Sequence, residues 1–237
     1  MDKIQKMNKL LITNGCSFTY GDELSRRNDQ AFPYLLAVKH NIPVNNLAYN
    51  GKSNEAIVRT TLEFMLDSDL SKIDPIFIIG WSGIARKEFY NDGKWSKITP
   101  TQVAVNKLAE VHYMYLQSNK QDNLEFFNHT LLLQLLFESK NYQYFFFNID
   151  DGQVIQNIKS GGSIKGSNKF SDNYNLSHIN NSYINEINLN NFPSFVDKEV
   201  TFLNYSITNG GGREKGGHPN AKSHQIWADY LSTKLKF

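Results

Sequence analysis

The chain has 237 residues, a length that fits one α/β domain or two smaller domains. Hydrophobic residues make up 40% of it, which is enough for a buried core. Its 25 lysine and arginine residues are nearly balanced by 23 aspartate and glutamate residues, so the formal net charge is only +2. Proteins that bind nucleic acid through its phosphates carry a clear basic excess. The composition therefore gives no indication of a nucleic-acid partner.

The apolar segments are too short for export or for a membrane span. Near the start only residues 10–12 form an apolar run, whereas a secretory signal needs roughly 7–15 such residues. Longer runs, such as residues 76–81, stay well below the roughly 20 residues that cross a bilayer. The single Cys16 excludes an internal disulfide framework and a cysteine-cluster metal site. We expect a soluble, cytoplasmic protein without a membrane partner.

Short apolar runs alternate with helical patterns in the first third of the chain. The run KLLIT ends in the turn Asn14-Gly15-Cys16-Ser17, which is typical of a buried strand closing into a loop. The most hydrophobic run, IFIIGW, follows Pro75 and indicates a central strand. The patterns predict strands at residues 9–13, 44–47 and 76–81, and helices at residues 29–40 and from residue 56 to about residues 67–69.

The alternation continues in the rest of the chain. Helical spacing covers residues 101–118 and 122–139, and the aromatic run at 142–149 predicts a fourth strand. Residues 150–191 are rich in Asn, Ser, Gly and Lys, and we interpret them as a long surface insertion. A last helix is predicted to begin near Pro219. Strands alternating with helices predict an α/β fold with a mostly parallel sheet covered on both faces.

The informative polar residues lie where such a fold binds its ligands. Ligands of open parallel sheets bind at the carboxyl ends of the strands. Ser17 follows the first predicted strand, Gly51 the second and Ser82 the third, while His218 precedes the last helix. These four residues are therefore the first candidates for a common site.

Hydrolysis of an ester by a serine requires a hydroxyl on a tight turn, a histidine that accepts its proton, donors for the oxyanion and a group that orients the histidine. Four segments resemble, in order, the four sequence blocks of the SGNH (GDSL-type) hydrolase family. They are Gly15-Cys16-Ser17-Phe18-Thr19, Asn50-Gly51, Gly80-Trp81-Ser82 and His218-Pro219-Asn220. The resemblance implies a flavodoxin-like three-layer αβα sandwich. It also implies a single SGNH hydrolase-like domain over residues 1–237, with the polar insertion at about 150–191.

The resemblance implies a role for each matched residue. Ser17 is then the nucleophile and His218 the general base, and the backbone N–H groups of Ser17 and Gly51 donate to the oxyanion. The third block of the family supplies an Asn amide as a further donor. Ser82 stands at that position here, and its shorter hydroxyl is the candidate for the same role. Arg86 is a candidate for binding an acidic or polyhydroxylated substrate, with a surface salt bridge as the alternative.

The group that orients His218 is the larger departure from the family pattern. The family places an Asp three residues before its histidine, and this chain has Lys215 there. Glu214, one residue further back, is the nearest carboxylate and the candidate for the orienting role. A backbone carbonyl acting in a Ser-His dyad is the alternative.

The resemblance predicts a serine esterase that acts on small acyl esters through an acyl-enzyme, with O-acetylated carbohydrate as the preferred substrate class. Its partner is then a small-molecule or glycan ester, and no cofactor and no metal are implied. Transfer of the acyl group to another alcohol stays open because the same intermediate serves both reactions. Lys215 and Ser82 also motivate an alternative, a catalytically impaired SGNH-like module that binds a glycan or a partner.

Residues 46–53 superficially resemble a phosphate-binding P-loop, because they end in Gly-Lys-Ser between a predicted strand and a predicted helix. The first glycine of that motif is Asn46 in this chain. The next strand, at residues 76–80, ends without the carboxylate that would hold magnesium. Both departures argue against nucleotide binding.

Overall fold

Four parallel strands form the central sheet of the computed structural model, which describes residues 8–151 and 185–237. The described residues form the strands β1 (Asn8–Asn14), β2 (Val44–Asn46), β3 (Ile73–Trp81), β4 (Lys87–Asn91), β5 (Lys94–Ile98) and β6 (Gln143–Asn148), of which β4 and β5 pair only with each other as an antiparallel hairpin. In space the sheet runs β2-β1-β3-β6, and its three pairings are all parallel. The predicted parallel sheet is confirmed, and its four strands match the four predicted ones.

Helices cover both faces of this sheet. They are α1 (Ser17–Tyr20), α2 (Arg27–Gln30), α3 (Phe32–His40), α4 (Asn54–Asp67), α5 (Lys107–Val111), α6 (Asn119–Ser139), α7 (Phe202–Thr208) and α8 (Ala221–Lys234). Residues of α4 and α6 share one hydrophobic cluster, and residues of α3, α7 and α8 share a second. The molecule therefore has the three layers that were predicted.

The alternation of side chains along the strands produces the two clusters. Phe77 and Ile79 of β3 belong to the cluster under α4 and α6, whereas Ile76 and Ile78 belong to the cluster under α3 and α8. Successive side chains of a strand point to opposite faces, so a strand buried on both faces is apolar at every position. This is why the run IFIIGW predicted a central strand correctly. Trp81 continues the first series and is fully buried.

Two segments differ from the expectations. The hairpin β4–β5 was not predicted, although the pair Asp92-Gly93 between its strands is a strong hairpin signal. Both residues have positive φ, 49° and 77°, as the two-residue turn requires. The helix expected over residues 101–118 is wrong as one element. The chain bends at Asn106, whose side chain accepts the N–H groups of Leu108 and Ala109 at the start of α5.

Most of the predicted insertion lies outside the described residues. Its last part, residues 185–191, is largely exposed, but it contacts the core through Ile187 and strand β6 through Asn191. Ile187 is 5% exposed and belongs to the core cluster of α4 and α6. The carbonyl of Asn191 accepts the N–H of Phe146 in β6 at 2.8 Å. In the described part of the chain, no helix has the length and apolar character needed to cross a membrane.

His224 connects the last helix to the start of α3. Its ring is fully buried, and Nδ1 accepts the N–H of Phe32 at 3.2 Å. Phe32 is the first residue of α3, so its N–H has no partner inside that helix, and Ala31 provides no side-chain cap. A ring nitrogen that accepts carries no proton, and burial lowers the pKa of His224 to about 3. His224 is a neutral structural residue.

We predict that His224 makes the folded protein sensitive to acid. The unfolded chain binds a proton at this residue below about pH 6.5, whereas the folded protein does so only near pH 3. The stability that depends on neutral His224 is therefore present above pH 6.5 and is lost as the pH falls, by roughly 1.4 kcal/mol per pH unit. In His224→Asn the amide oxygen can replace Nδ1 as acceptor.

Urea denaturation at about pH 7.5 and about pH 5 measures this difference. The wild type should lose about 2 kcal/mol more free energy of unfolding than His224→Asn over that interval. The other histidines, and the carboxylates that titrate toward pH 5, are common to both proteins and cancel in the comparison. Equal losses in the two proteins would contradict the assignment.

Candidate active site

The loop after β1 places Ser17 at the start of α1. Gly15 N–H donates to the side chain of Asn14 at 2.9 Å, which closes the turn, and Ser17 is the first residue of the helix. The carbonyl of Ser17 accepts the N–H groups of Gly21 and Asp22 at 2.9 and 3.0 Å, so the helix ends after one turn. Ser17 is only 2% exposed.

The strand order brings the other two strand-end loops to both sides of Ser17. Strand β1 lies between β2 and β3, so the loops after β2 and β3 flank the loop of Ser17 at one edge of the sheet. The N–H of Tyr49 donates to Gly15 O at 3.3 Å. Asn54, the first residue of α4, donates to Ser82 O at 3.1 Å and accepts from Ser82 N at 2.8 Å. The predicted Gly51 and Ser82 segments are thus tied to the same edge.

His218 lies against the segment that follows Ser17. Its ring meets the ring of Phe18 edge-on, with centroids 5.4 Å apart. A short hairpin presents it, in which Glu214 N donates to His218 O at 2.7 Å and Gly217 N donates to Glu214 O at 3.0 Å. Asn220 then caps α8 by accepting the N–H of Ser223 at 3.0 Å. The histidine is therefore fixed between a tight turn and a capped helix.

The carboxylate bonded to the His218 ring is Glu23. Its Oε2 lies 2.8 Å from Nδ1 and 3.2 Å from the backbone N of His218, and its Oε1 accepts Gly216 N at 2.8 Å. The hydrogen bond from His218 lowers the pKa of Glu23 below its ordinary value, which favours the carboxylate. Glu23 has φ of 67°, a left-handed conformation that costs a residue with a Cβ about 1–2 kcal/mol. Its contacts with the His218 hairpin hold it there.

The second ring nitrogen of His218 faces a second carboxylate. Nε2 lies 3.8 Å from Asp22 Oδ2, and the same oxygen accepts Asn50 Nδ2 at 2.7 Å. Asp22 therefore connects the histidine to the residue beside Gly51. Within residues 8–151 and 185–237, no hydrogen bond joins the Ser17 hydroxyl to His218. Catalytic hydrogen bonds are commonly long without substrate and shorten when substrate binds.

Candidate oxyanion donors lie at the same edge. Among the described residues, the N–H groups of Ser17 and Gly51 donate no hydrogen bond. The hydroxyl of Ser82 accepts a hydrogen bond from Arg86 Nη1 at 2.9 Å, since a guanidinium can only donate. Arg86 thus contacts the third block directly.

The sequence-predicted residues and Glu23 have different relations to His218. Glu214 contacts His218 through one backbone hydrogen bond, and Lys215 is exposed. Glu23 and Asp22 were not considered in the sequence analysis. The available signal was a pair of carboxylates directly after the nucleophile block, at the end of a strand where ligands bind.

Lys52 anchors the loop of Gly51 through hydrogen bonds of its side chain. Its ammonium group is buried and donates to Asn14 Oδ1 at 2.9 Å, Leu47 O at 2.6 Å and Thr60 Oγ1 at 2.8 Å. Burial lowers the pKa of Lys52 to about 8, so the group is still charged at neutral pH. A P-loop lysine needs its ammonium free for phosphate. These protein contacts argue further against nucleotide binding.

A second lysine connects the elements behind Arg86. Lys87, at the start of β4, forms ion pairs with Glu55 at 3.1 Å, with Asp122 at 3.0 Å and with Glu125. These carboxylates belong to α4 and α6, so one ammonium group joins three elements. The pairs raise the pKa of Lys87 above its ordinary value although burial opposes them. The cluster holds β4 and the preceding Arg86 segment against the helices.

A family model matches residues 20–236, and its description is a family of unknown function, DUF6071. The chain belongs to this family. No curated protein matches it in sequence. The matched range includes both Glu23 and His218, but the family's description assigns no reaction. The chemistry must therefore be argued from the site.

Solved structures share the fold of the DUF6071 chain. A protein assigned to the lipolytic G-D-S-L family, from Desulfitobacterium hafniense, matches with a TM-score of 0.52 at 14% identity, over 96% of this chain and 100% of that one. A carbohydrate esterase, whose active site is described as displaying divergent catalytic and non-catalytic binding functions, matches with a TM-score of 0.51 at 15% identity. That match covers 98% of this chain and 65% of the other. The chain has an SGNH-like fold, as its motifs predicted.

We predict that replacing Lys52 by Met destabilises the protein. Met has a similar length and fills the space, but the carbonyl of Leu47 and the side chains of Asn14 and Thr60 each lose a donor. Asn14 Oδ1 keeps the N–H of Gly15 and Thr60 Oγ1 keeps the amide of Asn14, whereas the Leu47 carbonyl is left without a donor among the described residues. A buried acceptor without a donor costs about 1–3 kcal/mol. Urea denaturation at neutral pH should show a loss of this size.

The exposed Lys94 offers a matched control, because it carries the same change at the tip of the hairpin β4–β5. Lys94→Met should alter the free energy of unfolding by no more than about 0.5 kcal/mol. If Lys52→Met were as stable as Lys94→Met, the anchoring role of Lys52 would be wrong.

Proposed function

We propose that this protein is a serine acyl-ester hydrolase in which Ser17 attacks the acyl carbonyl and His218 accepts the proton of Ser17. The observation that carries the proposal is the hydrogen bond of 2.8 Å between Nδ1 of His218 and a carboxylate of the Ser17 loop. A carboxylate can only accept, so Nδ1 carries the proton and Nε2 is left as the proton acceptor. A histidine that accepts the proton of a serine hydroxyl at Nε2 must be in this tautomer.

The reaction then proceeds in two steps. Ser17 Oγ forms a bond to the acyl carbon, its proton passes to His218 Nε2, and the leaving alcohol takes that proton as its bond to carbon breaks. Water next attacks the acyl-enzyme, again losing a proton to His218, and releases the acid and the free Ser17 hydroxyl. The N–H groups of Ser17 and Gly51 and the Ser82 hydroxyl are the proposed oxyanion donors. One such donor is typically worth about 10²- to 10³-fold in rate.

For the substrate we propose a small acyl group on a carbohydrate. The exposed fraction of Ser17 is 2%, which favours a short acyl chain such as acetyl. Arg86, held beside Ser82, is the proposed contact for a polyhydroxylated alcohol portion. A structural neighbour described as a carbohydrate esterase supports the same class. The one cysteine, Cys16, is compatible with a reducing compartment, and we propose a cytoplasmic location.

Ser17→Ala tests the proposed nucleophile. Removing the hydroxyl should lower the hydrolysis rate of p-nitrophenyl acetate by at least about 10³-fold, because no acyl-enzyme can form. A fluorophosphonate probe should add once to the wild type and not to Ser17→Ala, as measured by intact mass. Circular dichroism of both proteins shows whether the variant remains folded.

Ser25→Ala is the matched control, since Ser25 is an exposed serine of the same segment and its hydroxyl donates to Gln30 Oε1 at 3.3 Å. It should keep both the turnover and the adduct. A folded wild type that neither hydrolyses acetyl esters nor forms the fluorophosphonate adduct would overturn the hydrolase proposal. The same result would favour the glycan- or partner-binding alternative.

A further inference from the structure

We propose that Glu23 is the positioning residue that orients His218, so that the acid and the nucleophile of the site come from the same loop. This inference rests on the proposed roles of Ser17 and His218. It goes beyond them by assigning the orienting role to a residue that the family pattern does not indicate. Glu214, the candidate from the sequence, lies in the histidine's own hairpin, whereas Glu23 lies 195 residues before His218.

Three N–H donors converge on the one carboxylate. Oε2 of Glu23 faces Nδ1 and the backbone N of His218, and Oε1 accepts Gly216 N. An ionised carboxylate can accept all three bonds, and hydrogen bonds to a charged acceptor are stronger than those between neutral groups. One side chain therefore sets both the ring orientation and the position of the hairpin.

The hairpin is shaped to receive this carboxylate. A Cβ added to Gly216 would lie 2.1 Å from Glu23 Oε1, so only glycine allows the approach. Lys215, which occupies the position of the family's Asp, is exposed. The Asp that the SGNH family places at this position is therefore missing, and the carboxylate beside the hairpin is that of Glu23, from the segment that follows Ser17. The two observations are complementary.

Asp22 differs from Glu23 in the ring nitrogen it faces. Its Oδ2 lies 3.8 Å from Nε2 of His218 and accepts Asn50 Nδ2, so it helps to hold the loop of Gly51. Orientation through Nδ1 belongs to Glu23 alone among the described residues. Comparing Asp22→Asn with Glu23→Gln therefore separates the effect of ring orientation from the effect of losing one negative charge beside His218.

The first test reads the histidine tautomer and needs no substrate. In the full-length protein with ¹⁵N-labelled histidine, two-bond ¹H–¹⁵N spectra at about pH 8 report which ring nitrogen of a neutral histidine is protonated. We expect the Nδ1–H form for His218 in the wild type and in Asp22→Asn. In Glu23→Gln this preference should be lost, because the amide offers one acceptor oxygen where three donors converge. An Nε2–H tautomer in the wild type would overturn the proposal.

The second test uses the hydrolysis of p-nitrophenyl acetate. Glu23→Gln should lower kcat by about 10²- to 10³-fold and leave KM within about threefold, because orientation acts on proton transfer and not on substrate binding. Glu23→Asp, which keeps the charge on a shorter side chain, should retain more activity than Glu23→Gln. The exposed Glu199 provides a control, and Glu199→Gln should match the wild type.

Chemical rescue separates orientation from a structural loss. The Glu23 side chain is 29% exposed, so a small carboxylate can reach the space that Glu23→Ala leaves. Formate should restore part of kcat in Glu23→Ala, whereas chloride at the same ionic strength should not, and Ser17→Ala should not respond to either. A merely structural role of Glu23 would give no rescue by formate.

The outcomes also separate the two proposals. A wild type that neither hydrolyses the ester nor forms a fluorophosphonate adduct contradicts the hydrolase proposal. The tautomer measured for His218 then tests the role of Glu23 independently. If the wild type is active, two results overturn the assignment of Glu23 and leave the hydrolase proposal intact. One is a larger loss of kcat in Glu214→Gln than in Glu23→Gln, and the other is full kcat in Glu23→Gln.

Discussion

The position of β1 between β2 and β3 is the constraint on which the site depends. In a parallel sheet all strands end at the same edge, so neighbouring strands deliver neighbouring loops. The loop of Ser17 therefore lies between the loops of Gly51 and Ser82. Strand β3 is buried on both faces, since its residues Ile76 and Phe77 enter opposite clusters. If β1 were at the edge of the sheet, only one of the two loops could adjoin Ser17.

Polar side chains then fix the loops relative to one another. Asn54 binds the backbone of Ser82, Asp22 binds Asn50, and Glu23 binds the hairpin of His218. Each of these contacts joins segments far apart in the chain, and each lies at the end of a regular element, where backbone groups still need partners. The apolar core thus determines which loops meet, and a small number of carboxylates and amides determine how they meet.

This division explains what the sequence predicted and what it did not. The placement of Ser17 and Ser82 at one sheet edge was predictable because each follows an apolar run of strand length, and Gly51 follows the short segment predicted as the second strand. Glu23 was not predicted, since its partner lies 195 residues away and no local pattern pairs them. The hairpin β4–β5 was not predicted although Asp92-Gly93 is a local signal, because its two strands are short and largely exposed and therefore show no apolar run. Ile187 was placed in a polar insertion, yet its burial depends on tertiary contacts alone.

The origin of the orienting carboxylate changes what Lys215 means for activity. Lys215 motivated the interpretation of an impaired module, on the assumption that the acid must come from the histidine's own loop. Glu23 and Asp22 already face the two ring nitrogens of His218, so an Asp at position 215 would add a further carboxylate to the hairpin that presents this ring. A carboxylate added close to ionised ones raises the pKa of one of them, so a further acid would oppose the ionised state of Glu23. A lysine directed to solvent avoids this conflict and lets the glycine-rich hairpin close on Glu23. Lys215 at the position of the SGNH family's Asp is therefore consistent with a functional histidine and does not by itself indicate a site that has lost its activity.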